Sequence, residues 1–151
     1  MPARIDIGAL APAAYKAMAG LDAFVRHSAL PKPLLDLIRL RASQINGCAY
    51  CVDLHSSDLK TDGESDARVF AVAAWQEGPF FTEQERAALA LTESMTRLSE
   101  GGDRVPDDVW AQAVKHFDET DLAALVTAIA TINAWNRFGV ATRMVPESYQ
   151  A

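Results

Sequence analysis

The sequence lacks the features that mark several large classes of protein. Its 14 Lys and Arg residues are outnumbered by 20 Asp and Glu residues, which gives a net charge of -6, and the basic side chains are scattered. Sequence-independent binding of nucleic-acid phosphates needs clustered basic side chains, so we expect no nucleic-acid partner. The uncharged run 122–136 is shorter than the roughly 20 apolar residues that span a bilayer, so we expect no membrane partner.

We also expect no secretory leader. Such leaders carry a basic stretch followed by an unbroken apolar core, whereas Lys16 and Asp22 interrupt the apolar residues here, and we expect a cytoplasmic protein. Only two cysteines occur, Cys48 and Cys51, and the loop between them is too small to staple a secreted fold. In a reducing compartment the same spacing indicates redox or metal chemistry.

Runs of alternating apolar and polar residues between hairpin turns are absent, while helical spacing recurs from end to end. We therefore predict an all-α fold: a compact bundle of six to seven helices forming one domain, 1–151, with its core at about 12–142. Proline, glycine and capping signals divide the chain into helices at 12–27, 33–46, 48–59, 64–77, 82–98, 106–117 and 121–142. The last helix is apolar around most of its circumference, which predicts cover by other helices or by another subunit.

Two local signals are sharper than the rest. Asn46-Gly47 predicts the end of one helix immediately before the first cysteine, because glycine favours the left-handed conformation found after helix C-termini. Thr82 and Glu85 have the spacing of a capping box, in which each side chain binds the backbone amide of the other residue.

Both cysteines and one histidine share a face of the helix predicted at 48–59. Cys48, Cys51 and His55 occupy positions i, i+3 and i+7, which fall within about 60° of one another on a helix, and Asp53 points away. A thiolate near neutral pH needs a lowered thiol pKa, for which a helix N-terminus and an imidazole are both available. Because His55 lies four residues after Cys51, we assign attack on an oxidant to Cys51 and resolution as a disulfide to Cys48.

Three other interpretations of this segment compete. The cysteines can be buried as small apolar side chains, with His55 an ordinary surface or core histidine. They can be ligands of zinc together with His55. His27 and His116 are isolated and offer no second ligand pair, which disfavours a closed site and leaves an open one completed by a carboxylate or water. A thioredoxin-like fold is excluded because it requires βαβ units. We expect no bound metal and no cofactor.

A carboxylate from the preceding helix can complete the site. Asp36, Arg39, Leu40 and Ser43 share one face there, and helices joined by a single glycine must lie close together. Asp36 is therefore a candidate to orient His55 or to relay protons. The alternative is an exposed acid near a helix start, stabilised by the helix dipole. Arg39 and Arg41 are assigned no catalytic role, as solvated or paired residues.

The segment 37–55, LIRLRASQINGCAYCVDLH, resembles the core of alkylhydroperoxidase D (AhpD)-like proteins in the carboxymuconolactone decarboxylase superfamily. Trp75 before Gly-Pro, the segment 81–91 and the segment 132–138 are also similar to this family's later helices, so the resemblance covers about 12–142. It implies an all-α fold, a homo-oligomer (trimer or hexamer, or a dimer), and peroxidase activity in members that have the cysteine pair.

By this resemblance Cys51 matches the peroxide-attacking cysteine, Cys48 the resolving cysteine and His55 the base. The family's relay glutamate, twelve residues before the first cysteine, falls on Asp36, which is one methylene shorter. Tyr50 stands where some members have a histidine. Members that decarboxylate lactones usually lack the cysteine pair, so the resemblance favours the redox branch.

The sequence thus predicts a thiol-dependent peroxidase that takes a hydroperoxide substrate and a dithiol reductant of lipoyl or thioredoxin type. The alternatives are a general disulfide reductase, or a non-catalytic oligomeric redox sensor that uses the pair only as a switch. A lactone decarboxylase and a zinc-binding protein are less favoured.

Overall fold

The fold is built from eight α-helices, and the computed structural model describes residues 2–149 of the chain. The outermost ends of the predicted domain 1–151 therefore lie outside the described residues. The helices are α1 (Ile7–Leu10), α2 (Pro12–Arg26), α3 (Lys32–Asn46), α4 (Ala49–Thr61), α5 (Asp66–Ala71), α6 (Glu83–Thr96), α7 (Asp107–His116) and α8 (Glu119–Thr142), with a 3₁₀ turn at Val72–Ala74. No strand occurs in 2–149, so the all-α prediction is confirmed.

Helix α3 lies at the centre of the bundle. It packs against α4, α6 and α8, and its buried residues belong to both large apolar clusters. One cluster joins α3 to α2, α6, α7 and α8, and the other joins it to α4, α5 and α6. Helix α8, which was predicted to be covered by other helices or by another subunit, has buried residues along most of its length, as does α3. Within 2–149 no helix is both long and apolar enough to cross a membrane.

The structure differs from the prediction in two places: one helix is shorter than expected, and one short helix was not expected. The helix expected at 64–77 ends as α5 at Ala71 and continues only as the 3₁₀ turn. After the 3₁₀ turn, the guanidinium of Arg86 donates to the carbonyls of Trp75, Gln76 and Gly78, which holds this segment against α6. Helix α1 was not predicted, since four residues are too few to show a helical period.

The local signals around α3 and α6 are confirmed. Gly47 has the left-handed conformation, with φ of 66°, immediately after α3. Thr82 and Glu85 form the predicted capping box at the start of α6. Capping of this kind typically contributes about 1 kcal/mol to the stability of a helix.

A buried polar cluster ties the end of α3 to α8. The Asn136 amide donates to Ser43 Oγ at 2.9 Å, and the Asn46 amide donates to Asn136 Oδ1 at 2.9 Å. Ser43 Oγ in turn donates to the Arg39 carbonyl at 2.7 Å. Asn136 is only 1% exposed, so each of these polar groups depends on the others for its hydrogen bonds.

We expect Asn136→Ala to lower the free energy of unfolding by about 2–3 kcal/mol, because it removes one hydrogen bond each from Ser43 and Asn46 and leaves a cavity in place of a buried side chain. Urea denaturation measures this loss. Gln112→Ala is the control, since Gln112 is exposed on α7 and its replacement should change stability by less than about 0.5 kcal/mol. Equal stability of the two variants would show that the cluster contributes nothing.

Candidate functional site

The site begins at the turn that joins α3 to α4. The amide of Cys48 donates to the Ser43 carbonyl at 3.1 Å and the amide of Gly47 donates to the Gln44 carbonyl at 3.3 Å, which is the Schellman pattern of a helix end. A residue other than glycine would be strained at this positive φ. Only Gly47 and Cys48 lie between the two helices, so α4 starts directly beside the end of α3, with Cys48 as its N-cap.

Cys48 and Cys51 are joined as a disulfide, with their Cα atoms 5.3 Å apart. The Cys48 sulfur also accepts a hydrogen bond from the amide of Cys51 at 3.3 Å. Both residues are buried, at 1% and 4% exposure. The N-terminal amides of α4 lower the free energy of a negative charge at Cys48, which favours a thiolate there when the bond is reduced.

The disulfide packs directly against the backbone of α8 at Gly139. A Cβ at this position would lie 2.6 Å from the sulfur of Cys48 and 3.5 Å from that of Cys51. Glycine inside a helix costs roughly 1 kcal/mol relative to alanine, so its presence in α8 has a steric reason rather than a conformational one. The sequence analysis did not identify Gly139, because the contact joins two helices that lie far apart in the chain.

A cavity of about 140 Å³ opens on Cys51. Its walls are mainly aromatic and aliphatic, with the ring of Tyr15 edge-on to that of Trp135 at 5.0 Å between centroids. Cys51 and His55 both line it, and Cys48 lies behind Cys51 and is not among the lining residues. The remaining apolar lining residues are Tyr50, Leu54, Ile132 and Met144. Of the two sulfurs, that of Cys51 is therefore the one next to the cavity.

The polar side of the cavity is a chain of ion pairs that crosses from α3 to α2 and α8. Arg39 donates to Asp36 and to Asp22, at 3.3 Å in each case, and the indole of Trp135 donates to Asp22 at 2.6 Å. Arg39 is buried and lines the cavity, although the sequence analysis gave it no role. Its spacing of three residues from Asp36 was the available signal. Because the guanidinium is shared between two carboxylates, it is not a free anion site.

His55 lies beside Asp36, as the i+7 spacing and the short turn predict. Its Nδ1 is 3.8 Å from Asp36 Oδ1 and 3.7 Å from Asp58 Oδ2, too far for a direct hydrogen bond. Burial, together with the positive charges of Arg39 and Lys32, lowers the pKa of His55 to about 3. The imidazole is therefore neutral at pH 7 while the sulfurs are joined.

Asp36 is buried at 1% exposure, so the alternative of an exposed acid at a helix start is wrong. Lys32 donates to its Oδ2 at 2.8 Å, in addition to the contact from Arg39 on Oδ1. The same Lys32 also pairs with Asp62 at the end of α4. A buried carboxylate needs such partners, because an unpaired charge in the interior costs several kcal/mol.

Tyr50, between the two cysteines, reaches the C-terminal segment that crosses α4. Its hydroxyl donates to Glu147 at 2.9 Å, and burial with this bond raises the pKa of Tyr50 to about 12. The backbone and side chain of Ser148 also donate to the carboxylate of Asp53. These contacts hold Met144 and the following residues over the start of α4.

The structure thus brings together all four residues singled out by the sequence: Cys48, Cys51, His55 and Asp36. The interpretation of the cysteines as separate small apolar side chains is not supported, because they are bonded to each other. Neither sulfur is free to bind zinc in this state.

Comparison with known proteins identifies relatives of the whole chain. The model of the carboxymuconolactone decarboxylase family matches residues 11–94. An uncharacterized Bacillus subtilis protein, YdfG, is 36% identical over 141 residues, which cover 93% of this chain and 95% of that protein. An Agrobacterium tumefaciens protein of unknown function, described as a candidate antioxidant defence protein AhpD, is 37% identical with a TM-score of 0.92, over 98% of this chain and all of that one.

The fold is also similar to that of the debrominase Bmp8. That likeness has a TM-score of 0.80 at 22% identity and covers 91% of this chain and 73% of that chain. At this identity it concerns the arrangement of helices alone.

We expect Gly139→Ala to destabilise the oxidised protein by about 1–3 kcal/mol, because the new methyl group overlaps the Cys48 sulfur. Gly20→Ala is the matched control: Gly20 lies in helix α2, and a Cβ added there would meet no atom within 4 Å, so its replacement should stabilise by up to about 1 kcal/mol. Urea denaturation of both disulfide-bonded variants measures the difference. Equal gains in stability would contradict the steric role of Gly139.

Proposed function

The chain belongs to the carboxymuconolactone decarboxylase family, and we propose that it is an AhpD-like, thiol-dependent peroxidase with Cys51 as the attacking cysteine. The observation that carries this proposal is the cavity that Cys51 shares with His55, with Cys48 bonded behind it. A peroxide in the cavity meets one sulfur, and the second is already within bonding reach.

The catalytic cycle has three steps. The Cys51 thiolate attacks the terminal oxygen of the hydroperoxide, the O–O bond breaks, and the alkoxide leaves as an alcohol after taking a proton. The Cys48 thiolate then attacks the sulfur of the Cys51 sulfenic acid, and the hydroxyl group leaves as water after taking a proton. A dithiol reductant finally gives two electrons and two protons to the disulfide and is itself oxidised to a disulfide.

Each residue near the sulfurs has a distinct part in this proposal. His55 exchanges the proton of Cys51 with the leaving group, since both residues line the cavity. Asp36 acts as a positioning residue that holds the imidazole through a small shift or a bridging water. Cys48 is supported as a resolving thiolate by the amide of Cys51.

The cavity walls support a small organic hydroperoxide as the substrate, because they are apolar and the guanidinium of Arg39 is already shared by two carboxylates. We propose a dithiol of lipoyl or thioredoxin type as the reductant. A cytoplasmic location would supply such dithiols. Exposed apolar side chains on α2 and α7 support a homo-oligomer, as a trimer, hexamer or dimer: Leu21, Phe24, Trp110 and Val114.

A non-catalytic redox sensor is the second candidate, and the burial of both sulfurs favours it. With 1% and 4% exposure, Cys48 and Cys51 present little surface to a protein reductant. A sensor would form its disulfide once and would not turn over when peroxide and dithiol are both in excess. The two candidates therefore differ in turnover and not in disulfide formation.

We expect the reduced protein to lose two hydrogen atoms on treatment with stoichiometric cumene hydroperoxide, as measured by mass spectrometry. Cys48→Ser should stop at a Cys51 sulfenic acid that dimedone traps, whereas Cys51→Ser should not consume peroxide. With dihydrolipoamide or thioredoxin in excess, the wild type should consume many equivalents of peroxide. Normal consumption by Cys51→Ser would refute the assignment, and a single equivalent in the wild type would favour the sensor.

We expect Asp36→Asn to slow peroxide consumption about tenfold or more, because it removes the carboxylate beside the imidazole. Asp62→Asn is the control: it also removes a partner of Lys32, but its side chain is not paired with His55. Rates are compared after circular dichroism shows both variants folded. If Asp62→Asn slows peroxide consumption as much as Asp36→Asn does, the loss of rate is caused by freeing Lys32 and not by a changed position of the imidazole.

A further inference from the structure

One buried polar atom near the cavity has no hydrogen-bond partner among residues 2–149. It is Nδ1 of His55, a residue that is 8% exposed. Leaving such an atom unpaired typically costs about 1–3 kcal/mol. Nδ1 instead faces Asp36 Oδ1 and Asp58 Oδ2, so an imidazole nitrogen and two carboxylate oxygens converge on one point.

The distances among these three atoms suit a shared cation. Two donors that each lie about 2.1 Å from one ion are at most about 4.2 Å apart. The separations from Nδ1 are 3.8 Å to Asp36 and 3.7 Å to Asp58, both inside this limit. All three atoms lie within 4.8 Å of one another, and a rotation of the half-exposed Asp58 side chain can close the remaining gap.

We propose that Asp36, His55 and Asp58 form a binding site for a divalent first-row transition-metal ion, for which Zn²⁺ is the probe. One imidazole and two carboxylates are a donor set that such ions accept, and Mg²⁺ is disfavoured because it prefers oxygen ligands alone. Water would fill the open position. These ligands differ from the Cys48, Cys51 and His55 set suggested by the sequence, and they remain available while the sulfurs form a disulfide.

The charge around the site is compatible with a divalent cation. Lys32 donates to Oδ2 of Asp36, the oxygen that does not face His55, and can stay there as a partner of a ligating carboxylate. Arg39 Nη1 donates to Oδ1 at 3.3 Å, so Oδ1 would be shared between the guanidinium and the ion, while Arg39 Nη2 is paired with Asp22. Two positive groups thus face four negative ones, leaving an excess of two negative charges: Lys32 and Arg39 against Asp22, Asp36, Asp58 and Asp62.

Asp58 also provides a route from solvent. Its side chain is 41% exposed, while those of Asp36 and His55 are at most 10% exposed. An ion can therefore meet Asp58 first and then the two buried ligands. Asp58 was not identified from the sequence, although its spacing of three residues from His55 places both on one side of α4.

Binding of an ion would oppose the proposed peroxidase cycle, and this consequence alone rests on the proposed function. A neutral imidazole that binds a metal through Nδ1 carries its single proton on Nε2. It then has no free lone pair to accept the proton of Cys51. Occupation of the site by a metal would make peroxide consumption slower in proportion to the fraction bound.

Equilibrium dialysis of the disulfide-bonded protein against Zn²⁺ tests the site without any contribution from thiolates. We expect one equivalent to bind to the wild type, and Asp58→Asn to lower the affinity roughly tenfold or more. Asp53→Asn is the matched control: it removes a carboxylate from the opposite side of the same helix and should leave binding unchanged. Mg²⁺ at the same concentration should not compete.

A second measurement locates the ion. In ¹⁵N spectra of the histidine side chains, Zn²⁺ should shift Nδ1 of His55 and leave His27 and His116 unchanged. Absence of stoichiometric binding would overturn the proposal, as would equal affinities of the Asp58→Asn and Asp53→Asn variants or shifts confined to the other two histidines. Because the oxidised protein is used, these outcomes are independent of whether it turns over peroxide.

Discussion

The left-handed turn at Gly47 is the constraint on which the site depends. Only Gly47 and Cys48 separate α3 from α4, so the first turn of α4 lies beside the last turn of α3. Cys48 thereby becomes an N-cap, and His55, two turns further on, comes to lie beside Asp36. A longer or more flexible connection would leave the spacing of Cys48, Cys51 and His55 intact and still separate His55 from the carboxylate.

The interior around this turn contains several charged side chains, and each of them is paired with a charge of opposite sign. Asp36 is held by Lys32 and Arg39, and Arg39 is held in turn by Asp22. Burying charges of this kind often contributes little net stability compared with apolar residues. Retaining them fits the proposed function, in which the imidazole of His55 exchanges a proton with Cys51 beside these buried charges.

Several elements were predictable from the sequence because their determinants are local. The stop at Gly47 and the capping box of Thr82 and Glu85 are set by neighbouring residues, and both are confirmed. The helix expected at 64–77 was wrong in its second half, where the chain forms a 3₁₀ turn and the carbonyls of Trp75 and Gln76 then contact Arg86 of α6. The role of Gly139 could likewise not be predicted from the sequence, because its contact with Cys48 forms only when α8 packs against α4.

The sequence by itself determined the helical class, the turn at Gly47 and the common face of Cys48, Cys51 and His55. These follow from propensity and from a period of 3.6 residues, both of which act over a few positions. Only the tertiary structure decided that Asp36 is buried beside His55, that Arg39 belongs to the site, and that a cavity opens on Cys51 rather than Cys48. Those features depend on how whole helices pack, and the energies of burial and ion pairing that select the packing come from residues far apart in the chain.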